Sequence, residues 1–394
     1  LKNQSNIERL KMKRTALTAI PLVLLLVFPV FSQENSCDQA YIKAMTTSDA
    51  GQRTKLLKDY LAQCGGKGSQ YENFAYANLC VTPYSGKTAA ETIEYGEKAI
   101  TLGGLDELMK FQVLVTVAAV YGQQGTNLAK AKTYAQQAIQ LGKSQNNNQL
   151  VGAGYYVQGQ VQHKSNDLKG ASSSYISAYN ILKNKQIAND LKKVAKDLYD
   201  AKAYAEAAKA WKVCVGVTND YACVVYLANS LNRSGQKDEA LTYYKQAYTK
   251  QKKGDVAYNI GVILASKSNS NNNGSSEAIK YLLDASFLSQ ANSKKAMDLA
   301  QRLFFNHEVP GYNDKIKDLA DKSANLATLT KNFNDKFGEK DEEELSDVEK
   351  AEMEKILKQI EAEQNAIEKI QAEQQQALEK FNALVEQTKE RLGI

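Results

Sequence analysis

One pattern recurs six times along the chain and restricts its fold more than any other feature. It ends at Ala99, Ala138, Ala178, Cys214, Ala247 and Ala285, at successive intervals of 39, 40, 36, 33 and 38 residues. Seven residues before these stand Thr92, Ala131, Ala171, Ala207, Ala240 and Ala278, and three before them stand Gly96, Ala135, Tyr175, Trp211, Tyr244 and Leu282. Residues spaced in this way share one face of a helix. Small side chains at both ends of the pattern let a neighbouring helix approach closely. Apolar segments with a closing Gly or Ala precede several members: Tyr155–Gly159, Val224–Ala228 and Tyr258–Gly261. Turn formers separate the two halves, at Gly125-Thr126-Asn127, Lys164–Asp167, Arg233–Gln236 and Ser268–Ser276. Helix, turn, helix at a period of about 34 residues predicts a helical solenoid. A lone hairpin of this kind cannot bury its apolar face, whereas a stack of them can.

Composition points the same way. Four prolines in 394 residues, 43% apolar residues and a wealth of Ala, Lys, Gln and Leu favour helix. Val and Ile do not alternate with polar residues over the length of a strand. The expected fold class is all-α.

The repeats resemble the tetratricopeptide repeat family. The likeness is strongest over Tyr221–Ala247, through Tyr226-Leu227-Ala228, Asp238-Glu239-Ala240, Tyr243-Tyr244 and Ala247. Asp167–Ala178 and Asp255–Ala285 follow, the latter with an insertion around Asn271-Asn272-Asn273. The segments ending at Ala99 and Ala138 lack the aromatic packing residue, and the proline that often closes such repeats is absent. The likeness spans residues 69–290. It implies a right-handed superhelix whose concave groove binds polypeptide segments without catalysis. Asn229 and Asn259 stand where the family often has asparagines that contact a bound backbone, and Tyr155, Arg233 and Lys294 are further groove candidates. Val225 replaces the lysine that recognition of a terminal carboxylate requires.

The rest of the chain divides around this block. Residues 1–32 read as a leader: Lys13 and Arg14, an apolar run from Ala16 to Phe31, then small residues at Val30 and Ser32 before Gln33. They imply export to the periplasm or beyond, or an N-terminal anchor facing the same compartment. Residues 33–68 are expected to cap the solenoid as a hairpin, and residues 291–338 to close it with two helices, Ser293–Phe305 and Asn313–Phe337. In an exported chain disulfides are permitted. Cys37 and Cys64 sit at adjacent ends of the capping hairpin and are expected to pair. Cys214 and Cys223 flank one turn and are expected to pair as well, leaving Cys80 a thiol.

Residues 339–394 differ in kind. The net charge of +6 comprises +4 from residues 1–32 and −8 from residues 339–394, which leaves +10 on the body between. Such an asymmetry suggests an anionic partner, a meeting of the two parts, or ordinary solvated faces. After the acidic stretch Glu339–Glu344, a heptad seam runs through Met353, Ile356, Ile360, Ile367, Ile370, Phe381 and Leu384, broken by Glu363 and Gln374. It predicts a coiled coil that joins copies of the chain over residues 349–392, or a long helix folded back along the body.

No motif for chemistry emerges. The two histidines, His163 and His307, lie in no metal-ligand spacing, the cysteines form no CxxC, and there is no phosphate loop or nucleophile elbow. The sequence therefore predicts a protein without enzymatic activity, cofactor, metal or nucleic-acid partner. It is read as an adaptor that holds a protein or peptide, with a structural, oligomerising envelope subunit as the alternative.

Overall fold

The computed structural model describes residues 34–268 and 275–394. The leader or anchor expected over residues 1–32 and the insertion at Asn271–Asn273 lie outside them. The described chain is helical throughout, apart from turns. Helices α1 (Glu34–Thr46) and α2 (Ala50–Cys64) form a first hairpin. Six more follow: α3 (Glu72–Val81) with α4 (Ala89–Leu102), α5 (Glu107–Gln124) with α6 (Leu128–Ser144), and α7 (Asn148–Lys164) with α8 (Leu168–Leu182). Then come α9 (Lys185–Asp200) with α10 (Tyr204–Thr218), α11 (Tyr221–Arg233) with α12 (Lys237–Lys250), and α13 (Gly254–Ser268) with α14 (Ser275–Leu288). The chain ends in α15 (Ser293–Glu308), α16 (Tyr312–Phe337) and α17 (Asp347–Leu392).

Local sequence sets where four of the first helices begin. Asp106, Asn147, Asn184 and Asp220 each accept a hydrogen bond from a backbone N–H in the first turn of α5, α7, α9 and α11. These caps satisfy donors that the helix itself leaves open.

Packing follows the recurring pattern. Every residue of it, from Thr92, Gly96 and Ala99 to Ala278, Leu282 and Ala285, is buried. Where a large ring occupies the middle position, the opposing helix supplies a small residue. A Cβ on Gly159 of α7 would stand 2.8 Å from the Tyr175 ring of α8. The repeat with glycine at that position solves the problem in reverse. A Cβ on Gly96 would meet Val117 at 2.1 Å and the Cys80 sulfur at 2.9 Å, so those side chains fill the missing volume. Successive second helices are also joined by ion pairs: Glu97 to Lys130, Lys212 to Glu239 at 2.7 Å and Lys245 to Glu277 at 2.7 Å. Being part-exposed, each contributes about 0–1 kcal/mol; they tune register more than stability.

Of the two expected bridges one forms. Cys37 and Cys64 are joined, with Cα atoms 5.9 Å apart. Cys214 and Cys223 are not: both are buried free thiols, as is Cys80. The expectation placed Cys214 at a helix end, but α10 continues one further turn to Thr218. Cys214 instead turns towards the Ala188 carbonyl of α9, at 3.9 Å. The Cys223 thiol is occupied by the capping carboxylate of Asp220, at 3.2 Å, and by the Thr218 hydroxyl.

The heptad seam closes within the chain. α16 carries half-buried residues at matching spacing, including Leu319, Leu326, Leu329 and Phe333, and α17 returns antiparallel along it. The pairs Lys336–Glu352, Lys322–Glu363 and Lys315–Glu373 mark the register, at 2.6, 3.3 and 2.5 Å. Met353, Ile356, Ile360 and Ile367 are half-buried here and Ile370 is buried. Beyond them Phe381 and Leu384 leave α16 for the end of the solenoid, where Phe381 meets Phe304 and Phe305 of α15. The acidic segment thus meets lysines of its own chain, and the seam read as a joint between copies has an internal partner.

Candidate functional site

The first helices pack by one face, and helical periodicity shows which residues remain on the other. In α9 the buried set Ile187, Leu191, Val194, Ala195 and Leu198 leaves Asn189, Lys193, Lys196 and Asp200 opposite it. In α7 the same reasoning leaves Ala153, Gln160 and Lys164; in α11, Ala222, Val225, Asn229 and Arg233; in α13, Asp255, Asn259, Val262 and Ser266. Adjacent helices place these residues in rows that run across the repeats. Gln160, His163 and Lys164 of α7 share a shallow depression of about 370 Å³ with Gln123 of α5 and Asp190 of α9.

Hydrogen bonds between neighbouring first helices hold the rows in place. Tyr156 donates to Asp190 at 2.9 Å, His163 lies 2.8 Å from Asp197, and Lys192 reaches Asp220 at 3.4 Å. Burial is the largest influence on Asp220 and would raise its pKa. Hydrogen bonds from the Cys223 backbone and thiol and from Thr218, with Lys192 nearby, outweigh it and bring the carboxyl to about 2. Asn229 is oriented by a contact inside its own hairpin, where the Tyr244 hydroxyl donates to its Oδ1 at 2.7 Å. That bond occupies the acceptor and leaves the amide N–H groups to donate elsewhere.

The residues singled out in the sequence do not all gather here. Asn229, Asn259 and Arg233 lie on the open faces of α11 and α13. Tyr155 does not: its neighbour Tyr156 takes the open side, while Tyr155 packs into the core under the Lys143 ammonium, 6.0 Å from the ring centre. Lys294 is exposed on α15, past the last hairpin. Sequence reading missed Gln160, Lys164 and Lys196. The signal was present in α9, whose spacing of Ile187, Leu191, Val194 and Leu198 already sets Lys196 opposite the core.

The cysteines offer no reactive centre. Burial pushes the Cys80 and Cys214 thiols up to about 12, far from the thiolate that nucleophilic chemistry needs. Among the described residues no group of three or more His, Cys, Asp or Glu side chains comes together as a metal site would require.

Stacked two-helix units of this length, with a small-large-small face buried in each, define the architecture. The fold is a tetratricopeptide-repeat solenoid. No family model matches the chain, and no curated protein matches it. Solved structures similar to the solenoid include the apo form of RapI, at 14% identity over 68% of this chain and 99% of that one, with a TM-score of 0.37. A tetratricopeptide repeat protein from Parabacteroides merdae is 12% identical over 66% of this chain and 99% of that one, with a TM-score of 0.34. YrrB, described as a TPR protein with an unusual peptide-binding site, is 20% identical over 52% of this chain and 97% of that one, with a TM-score of 0.32.

Proposed function

We propose that the solenoid is an exported adaptor that holds an extended polypeptide segment along the open face of α7, α9, α11 and α13. The observation that carries this is the state of Asn229. Its acceptor oxygen is bound to Tyr244, so its amide donors are preset towards a passing backbone carbonyl. Asn259 lies one repeat further on, with half-exposed Tyr258 and exposed Val262 beside it for apolar contact. A held donor at Asn229 with apolar spots beside the next asparagine suits a peptide backbone, because ordering costs less where a side chain is already held. Arg233 completes this group; Tyr155 and Lys294 fall outside it.

Export is supported by the Cys37–Cys64 bridge, which an oxidising compartment sustains. No described helix is long and apolar enough to cross a membrane. The internal closure of the heptad seam favours the adaptor over a subunit that oligomerises through α17.

Photo-crosslinking tests the reading. With p-benzoylphenylalanine at Val262, the protein is expected to yield discrete peptide adducts in envelope extracts. The same probe at Lys132, exposed on α6, should not. Asn229→Ala with Asn259→Ala should weaken the Val262 adducts by about tenfold, the loss of one to two hydrogen bonds. Adducts of equal yield from both positions, or unaltered by the double substitution, contradict the assignment.

A further inference from the structure

Charge on the open face narrows what kind of segment it takes. Four carboxylates belong to α7, α9, α11 and α13 together: Asp190, Asp197, Asp200 and Asp255. Three are engaged. Asp190 is held by Tyr156 and Lys193, Asp197 by His163, and Asp255 by Ser289 and Asn292. Asp200 alone is left open. The cations divide differently. Lys192 and Lys193 are paired, but Lys164 and Lys196 form no ion pair among the described residues. Arg233 lies beside the Tyr199 hydroxyl, a neutral partner that leaves its charge uncompensated.

Lys164, Lys196 and Arg233 sit on three successive first helices, each in the C-terminal half of its helix. A helix C-terminus concentrates partial negative charge, which favours a basic side chain there. Spaced one per repeat, they match carboxylates spread along an extended chain rather than one terminal group. Val225 stands where a clamp for a chain end would place a lysine.

We infer that the face selects an acidic polypeptide segment, whose internal Glu or Asp side chains pair with Lys164, Lys196 and Arg233 while Asn229 holds the backbone. This rests on the adaptor reading and names the chemistry of its partner.

The test uses the full chain and two fluorescent nonapeptides with blocked ends, one rich in Glu and its counterpart with Gln at the same places. Fluorescence polarisation is read at low and raised salt. The Glu peptide is expected to bind at least about tenfold more tightly, with the difference shrinking as salt screens the face. Lys164→Glu with Lys196→Glu and Arg233→Glu should abolish the difference. A control of equal charge, Lys132→Glu with Lys209→Glu and Lys252→Glu, should keep it, with circular dichroism confirming that both variants are folded. Equal binding of the two peptides overturns the inference yet leaves the adaptor reading standing. Loss of the difference in the control as well assigns the effect to net charge and overturns it too. Absence of binding by either peptide also overturns it, while crosslinking from Val262 judges the adaptor reading separately.

Discussion

Asp284 has no exposed surface, yet it lies on the last hairpin of the solenoid and is satisfied from far along the chain. The Tyr248 hydroxyl donates to it at 2.7 Å, and the Arg391 guanidinium, three residues from the end, binds both oxygens. Removing one member of such a pair strands the other away from water. Arg391→Ala is therefore expected to lower stability by about 3 kcal/mol, measured by denaturant unfolding. Asp284→Asn combined with Arg391→Ala should cost less than Arg391→Ala alone; an equal or larger loss contradicts a stranded charge. A second residue-scale prediction concerns acid. Thr88 and Glu91 cap α4 reciprocally, and the Thr88 backbone N–H, then Lys58, bring the Glu91 carboxyl to about 2 from an ordinary 4.5. A depressed folded pKa means stabilisation that is complete above the unfolded value and lost as pH falls. The melting temperature should decline between roughly pH 5 and pH 2, and Glu91→Gln should flatten part of that decline. Gly96 makes a third case. Gly96→Ala is expected to cost about 1–3 kcal/mol through overpacking, and Val117→Ala should restore part of it.

At the scale of elements, the terminal hairpin has one exposed side and a single staple. Residues 27 apart in sequence are joined by Cys37–Cys64, a loop whose closure contributes about 3–4 kcal/mol on the chain-entropy model. Reduction should release α1 and α2 to rapid hydrogen exchange while α5–α14 stay protected, since repeats depend chiefly on their neighbours. Protection of α1 unchanged by reduction contradicts the staple. How far elements were legible in sequence varies with what decided them. The positions from Thr92 to Ala285 were legible because small residues at helical spacing have few other uses. Cys37 and Cys64 were legible because both lie at hairpin ends. Cys214 was misread because α10 runs a further turn past it to Thr218, ahead of the Asp220 cap that opens α11, and no periodicity displays that. For α17 the heptads were visible but not their partner, since an apolar stripe fits α16 as well as a second copy.

The whole molecule is far from a sphere. Its surface is 24650 Å², against about 15,000 Å² expected for a compact monomer of its mass. The 46-residue α17 alone extends about 69 Å. That openness follows from nearest-neighbour stacking; among the described residues no other element packs over the exposed sides of α7, α9, α11 and α13. The site was legible only in part for the same reason. Asn229, Asn259 and Arg233 announced themselves by their places in a repeat, whereas Lys164 and Lys196 gain meaning only once the helices beside them consume Asp190 and Asp197. Everything proposed for this face requires that the stack be open in solution. Small-angle X-ray scattering of residues 33–394 measures it directly. A radius of gyration well above the value of about 21 Å for a globule of this length, with a long tail in the distance distribution, is the result this account predicts. A value near 21 Å with a symmetric distribution would contradict it.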